Sequence, residues 1–312
     1  MGYTIKDYVS NKGKIEVVSE TRINDLLYIN RYLEKLNLSM KIGENFAGYF
    51  ENFSARKKRL FVNNIPIVRI VYFGFEFLIK RVLPKIKYLN RFYLILTKGK
   101  NRLLSKAEVL GRLVCCGFDI LEVESIDGLI FFTARKAREP LFVEMKNYGL
   151  LFKMKRVGKN GKLFYIYKIR TMHPFSEFLQ DYVTETSGYS NVGKINNDFR
   201  LTPWGRILRK FWLDELPQIF NLIKGQINLI GPRPVSISYF DRIPEDLRLE
   251  RIKVKPGLIP PYVSLRYSSS VENVLKAERI YLKEKLEKPY STNLRYFFYA
   301  VYNIIFKKIR SN

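Results

Sequence analysis

Residues 200–235 read RLTPWGRILRKFWLDELPQIFNLIKGQINLIGPRPV, and this stretch sets the architecture of the C-terminal half of the chain. Thr202 followed by Pro203 is a helix start: the hydroxyl accepts from the first-turn amides, and proline at the first helical position loses no hydrogen bond. Ile207, Leu208, Phe211 and Trp212 then fall on one apolar side. A second helix is expected from about Asp214. Leu216, Ile219, Phe220 and Ile223 form its apolar stripe, Pro217 is tolerated in its first turn, and Gly225 stops it. Asp214 and Glu215 therefore sit at a helix N-terminus, where the dipole favours ionised carboxylates and bound phosphate alike. Two adjacent carboxylates also suit Mg²⁺ when phosphates complete its shell. Taken alone, the pair reads equally as an N-cap and an ordinary first-turn acid.

Gly231-Pro232-Arg233-Pro234 adds to this. An arginine between two prolines is presented on a stiff, extended backbone and grips phosphate bidentately. Upstream, Phe152–Met172 (FKMKRVGKNGKLFYIYKIRTM) is a basic hairpin turning at Gly158-Lys159-Asn160-Gly161. Downstream, VKPGL ends at Leu258.

In this order, RVGKNGK, YKIRTM, DELPQ, NLIGPRP and VKPGL closely resemble the bacterial sugar transferases, the monotopic phosphoglycosyl transferases, from about residue 150 to the C-terminus. The resemblance implies transfer of a sugar-1-phosphate from a nucleotide diphosphate sugar, a UDP-sugar, to polyprenyl phosphate, starting capsule or exopolysaccharide assembly. It implies that Asp214 is the nucleophile and that Glu215 holds Mg²⁺ with it and assists proton transfer. It also implies that Lys168, Arg170, Arg209 and Arg233 bind phosphate, the alternative for Lys168 and Arg209 being a solvated basic face. Members of the family carry a long apolar re-entrant helix before the hairpin. Here that place holds FFTARKAREPLFVEMKNYGLLFKMK, too short and too charged to enter a bilayer. The family's PGITG turn is replaced by Pro256-Gly257-Leu258-Ile259-Pro260-Pro261.

Composition frames these expectations. The 312 residues are 47% hydrophobic, enough for a real core, and 55 Lys and Arg against 29 Asp and Glu give a net charge of +26. That excess implies a polyanionic partner: phosphorylated substrates, an anionic membrane surface or nucleic acid. No nucleic-acid-binding motif accompanies the charge, so nucleic acid is not expected. Cys115 and Cys116 are neighbours, which implies free thiols, and His173 is the one histidine, too few for a zinc site or a Ser-His pair. The start MGYTIKDYVSNKGK lacks the apolar core of a signal peptide.

The expected fold class is α+β. Residues 1–60 read as a polar, loosely packed helical leader, 61–140 as a small α/β appendage, and 141–312 as the transferase domain of helices and a small hairpin. Within the appendage, FYLILT reads as a strand, Leu104–Cys115 as a helix capped by Ser105, and FDILEVESI and GLIFFTARK as a hairpin turning at Asp127-Gly128. Residues 107–136 are similar to the closing helix-strand-strand of methyltransferases. No glycine-rich loop precedes them, which implies a structural or docking role. Residues 175–198 read as a polar, mobile insertion. Val68–Val82 and residues 293–312 (NLRYFFYAVYNIIFKKIRSN) are amphipathic with basic flanks. They imply peripheral attachment at the cytoplasmic face of the inner membrane without a transmembrane helix. The competing readings are a non-catalytic scaffold among glycan-assembly proteins and a basic nucleic-acid-binding protein.

Overall fold

A computed structural model describes residues 3–53, 56, 71–73, 75, 76, 79, 80, 93, 95, 97–142, 148–188, 195 and 197–307. The chain divides into two compact units. The first comprises residues 1–149, 172–188 and 197–200, and the second residues 150–171, 189–196 and 201–312.

In the first unit, α1 (Ile5–Ser10), β1 (Val17–Val18), α2 (Ile29–Ser39) and β2 (Asn45–Phe50) precede α3 (Lys106–Cys115), β3 (Phe118–Ile126) and β4 (Leu129–Lys136). The sheet order is β1-β2-β4-β3, with β2 antiparallel to β4 and β4 antiparallel to β3. The β3–β4 turn falls where the sequence places it. Asp127 and Gly128 both have positive φ, 48° and 77°, which the two-residue hairpin turn demands. Ser105 caps α3 by accepting from the Glu108 amide. Cys115 and Cys116 are buried free thiols.

Three expectations are corrected in this unit. The N-terminal segment is not a loosely packed leader: β2 lies between β1 and β4, and Tyr8, Phe46 and Phe50 are fully buried. Its strands are too short for alternation to stand out, so their role emerges only from the partner strands. Tyr93, Ile95 and Thr97 of FYLILT are helical, and the Thr97 hydroxyl donates to the Tyr93 carbonyl one turn back; a short apolar run does not distinguish strand from helix. Residues 176–187 form a 3₁₀ turn (Ser176–Leu179) leading into α4 (Gln180–Ser187), anchored by the buried side chains of Leu179 and Val183. Most of Val68–Val82, the basic cluster Arg56–Arg59 apart from Arg56, and residues 308–312 lie outside the described residues. The place of the family's re-entrant helix begins with β4, whose Phe131 and Phe132 are fully buried in the sheet's core.

The second unit begins with the hairpin β5 (Leu151–Val157) and β6 (Leu163–Ile169), paired from Leu151–Ile169 to Val157–Leu163. Then follow α5 (Pro203–Lys210), a 3₁₀ turn (Leu213–Gln218), α6 (Ile219–Ile223), β7 (Asn228–Ile230), α7 (Ile237–Phe240), α8 (Glu245–Arg251), β8 (Gly257–Ile259), α9 (Pro261–Ser264), α10 (Val271–Glu287) and α11 (Ser291–Ile305). Ile230, Leu247, Val263, Tyr281, Leu282 and Tyr296 lie at the centre of its core. β7 and β8 run parallel, so close that a Cβ on Gly257 would lie 2.0 Å from the Gly231 amide nitrogen. The backbone after β7 is pinned by Gly257 N–H to Pro232 O (2.9 Å) and Val157 N–H to Val235 O (3.1 Å).

The helical segment 203–223 has its faces reversed. Ile207, Phe211, Leu216, Ile219, Phe220 and Ile223, expected to pack inward, are exposed, Ile223 to 77%. Asp214, Gln218 and Asn221 are buried in their place. The inward polar groups find partners: Asn221 Nδ2 donates to Tyr165 O (2.7 Å) on β6 and to Gln226 Oε1 (2.8 Å). Buried amides and carboxyls that bond to a strand and to each other satisfy the interior as hydrocarbon would. The same holds in α11, where Thr292, Tyr296, Ala300 and Asn303 face inward while Leu294, Phe298 and Ile305 are exposed.

Candidate active site

The site is built where the inward polar face meets β6. Thr202 caps α5 by accepting from the Gly205 amide, and its own hydroxyl donates to Thr171 O (2.9 Å), just past β6. A Cβ on Gly205 would lie 2.2 Å from Thr171 O, so only glycine lets α5 come this close. Arg209, in the last turn of α5, then donates through Nε to Thr171 Oγ1 at 2.9 Å. Trp212 takes a left-handed conformation (φ 56°) that turns the chain into the 3₁₀ segment carrying the two acids. The N-cap position belongs to Trp212, which makes no side-chain cap, so Asp214 is not spent on capping.

Glu215 is held from three directions. Oε1 accepts from Lys168 Nζ at 2.7 Å and from Arg233 Nη2 at 3.0 Å, and Oε2 accepts from Gln218 Nε2 at 2.9 Å. Burial works against its charge, but Lys168 and Arg233 outweigh it and hold the carboxyl below the ordinary glutamate range. Lys168 is shifted downward: burial lowers it, Glu215 pulls it back and Arg233 pushes it further down. Asp214 moves the opposite way to Glu215. Burial raises its carboxyl above the usual aspartate value, Lys168 and Arg209 partly offset this, and the Glu215 charge adds to it. No side-chain donor among the described residues bonds to the Asp214 carboxylate, which is buried at 8% exposure. It is the acceptor in this cluster left open for a ligand.

The sequence-derived residues thus converge in large part. Lys168 and Arg233 touch Glu215 directly, and Arg209 acts on Asp214 electrostatically. Arg170 lies beside them on the hairpin, its guanidinium 5.2 Å from the centre of the Phe152 ring. Sequence reasoning missed Gln218, Thr171 and Tyr262. Gln218 was legible in principle, since a glutamine three residues after Glu215 on a helical turn is within reach of it.

Beside the acids opens a cavity of about 230 Å³, walled by Trp212, Leu216, Ile219, Leu258 and Ile304, with Glu215, Arg233 and Tyr262 supplying its polar part. Pro260, at the altered turn after β8, also lines it. Among the described residues no group of three or more His, Cys, Asp or Glu is placed to cage a metal. The donor set is instead two adjacent carboxylates, one of them unengaged, which fits a Mg²⁺ that keeps waters and takes phosphate oxygens from a substrate.

Comparison with known proteins agrees with this picture. The model of the family described as bacterial sugar transferase matches residues 123–307. The undecaprenyl-phosphate galactose phosphotransferase of Salmonella typhimurium is 39% identical over 108 residues, covering 33% of this chain and 22% of that protein. The exopolysaccharide production protein ExoY of Sinorhizobium fredii is 37% identical over 123 residues, 36% of this chain and 54% of that protein. The UDP-glucose:undecaprenyl-phosphate glucose-1-phosphate transferase of Xanthomonas campestris is 34% identical over 119 residues, 37% and 23% respectively. The matches therefore span between about a fifth and about a half of these relatives' own lengths.

The electrostatics can be tested directly. A ¹³C-NMR titration of the aspartate carboxyls should place Asp214 above the ordinary value of 3.8. In Lys168→Met the value should rise further, because the largest influence that lowers it is gone. A value that stays or falls would contradict the proposed field at Asp214.

Proposed function

Because the chain belongs to the bacterial sugar transferase family, we propose that it transfers a sugar-1-phosphate from a nucleotide diphosphate sugar, a UDP-sugar, to polyprenyl phosphate, initiating a surface glycan. The observation that carries this reading is the open, buried Asp214 carboxylate flanked by Lys168, Arg209 and Arg233. A carboxylate with a raised pKa is a better nucleophile than a solvated one, and nearby cations suit the phosphate oxygens it approaches.

In the first step a carboxylate oxygen of Asp214 attacks the phosphorus that bears the sugar. An acyl–phosphate bond forms, the bond to the bridging oxygen breaks, and the nucleoside monophosphate leaves with the electron pair. In the second step a phosphate oxygen of the polyprenyl phosphate attacks the same phosphorus. The acyl–phosphate bond breaks, the Asp214 carboxylate is regenerated, and the sugar leaves on a polyprenyl diphosphate. Arg233 and Lys168 hold equatorial oxygens in both steps. Glu215, kept ionised by its two cations, acts by orienting them rather than by carrying a proton. A bound Mg²⁺, held by Asp214 and Glu215 with the substrate phosphates, supplies charge neutralisation. The apolar cavity next to Arg233 suits the first isoprene units of the acceptor, its phosphate lying toward the arginine.

The membrane part of the proposal rests on the reversed faces. Among the described residues no helix is long and apolar enough to cross a membrane. Ile207, Phe211, Phe220 and Ile223 are exposed with Arg206, Lys210 and Lys224 beside them, an apolar surface with basic neighbours of the kind that beds into an anionic interface. We place the protein at the cytoplasmic face of the inner membrane through this surface together with the exposed side of α11.

Two experiments test these readings. Asp214→Asn should fold normally and release nucleoside monophosphate from UDP-sugars on the order of 10³-fold more slowly or not at all; turnover near the wild-type rate would remove Asp214 as nucleophile. A triple change of Ile207, Phe220 and Ile223 to Ser should leave the thermal transition in place, because the side chains are exposed. It should weaken sedimentation with anionic vesicles by roughly tenfold. Undiminished sedimentation would move the membrane surface elsewhere.

A further inference from the structure

Arg233 is an exposed cation on a buried anchor. Its side chain is 47% exposed where it reaches Glu215, yet the prolines on either side of it are buried. Neither proline has an amide hydrogen, so the Arg233 N–H is the one backbone donor within Pro232–Pro234, and beside it lies the Arg233 carbonyl. Both groups are met by one pair of side chains from elsewhere in the fold. Arg251, at the end of α8, donates through Nη2 to Arg233 O at 2.8 Å. Glu278, in the middle of α10, accepts the Arg233 backbone N–H. Arg251 Nη1 and Glu278 Oε2 are themselves ion-paired. Glu278 is 1% and Arg251 8% exposed.

A buried ion pair is a weak device for stability, because desolvation consumes most of its attraction and an apolar pair of similar size does as well or better. What an apolar pair cannot do is donate to one backbone group of Arg233 and accept from the other. We propose that Arg251 and Glu278 are positioning residues: they fix the backbone of Arg233 so that its guanidinium meets the substrate phosphates in one orientation. The proposal rests on the reading of Arg233 as a phosphate ligand. Neither residue carries a local sequence signal, since each reaches Arg233 from a separate helix.

The test uses the full chain and two variants. In Arg251→Met/Glu278→Leu the pair is replaced by hydrocarbon; in Arg251→Lys the charge beside Glu278 stays but a single ammonium replaces the two-pronged donor. Hydrogen exchange at the Arg233 amide and steady-state turnover of a UDP-sugar with polyprenyl phosphate are measured beside the thermal transition. The double variant should melt at or above the wild-type temperature, exchange the Arg233 amide on the order of tenfold faster or more, and lose on the order of 10²-fold in kcat/KM. Arg251→Lys should melt as the wild type does and lose kcat/KM in the same direction, so the proposal survives a double variant that does not fold. Unchanged amide protection, or wild-type kcat/KM in a folded variant, would overturn it. If the wild type turns over no sugar nucleotide, the functional reading fails while the exchange measurement still decides whether the pair holds Arg233.

Discussion

The Glu215 carboxylate, shared between Lys168 and Arg233, is the interaction on which the second unit's site depends. It brings together three stretches of chain that have no other reason to meet: the end of β6, the 3₁₀ turn after α5 and the proline-framed loop after β7. A carboxylate taken out of water must be paired, and here the pairing takes two cations and a glutamine. The consequence falls on its neighbour. With Lys168 and Arg233 committed to Glu215, Asp214 keeps an open carboxylate and a raised pKa, while Glu215 is held low. Two adjacent acids with pKa values pushed apart by their surroundings are the usual means of giving like groups unlike roles.

A second constraint follows from the first. To carry Asp214, Gln218 and Asn221 inward against β6, the segment 213–223 must turn its hydrocarbon outward. The protein therefore exposes a row of large apolar side chains that a freely soluble enzyme would bury, and the same geometry that builds the site also prepares a surface for a lipid interface. Acid pair and apolar face are two sides of one helical turn, which is economical for a reaction whose acceptor is itself an amphiphile.

Much of this was legible in the sequence where local chemistry decides. The Asp127-Gly128 and Gly158–Gly161 turns, the Ser105 and Thr202 caps and the stops at Gly117 and Gly225 lie where their residue types require. The dyad, Lys168 and Arg233 were also found by motif and do meet. What the sequence withheld was direction and distance. Periodicity over residues 203–223 reveals two faces but does not say which is inside, and the habitual assignment of hydrocarbon to the core is reversed here. FYLILT has strand composition and helical conformation, because six apolar residues fit either period. The N-terminal strands are recognisable only beside β4, and Arg251 and Glu278 only beside Arg233.

The central claim is that Asp214 itself carries the phosphosugar. The most direct measurement is the intact mass of the protein incubated with a UDP-sugar and Mg²⁺ in the absence of polyprenyl phosphate. The expected result is a gain of one sugar-phosphate, mapped to Asp214, absent from Asp214→Asn and discharged when polyprenyl phosphate is added. Turnover with no adduct at any time, or an adduct that persists in Asp214→Asn, would contradict the account.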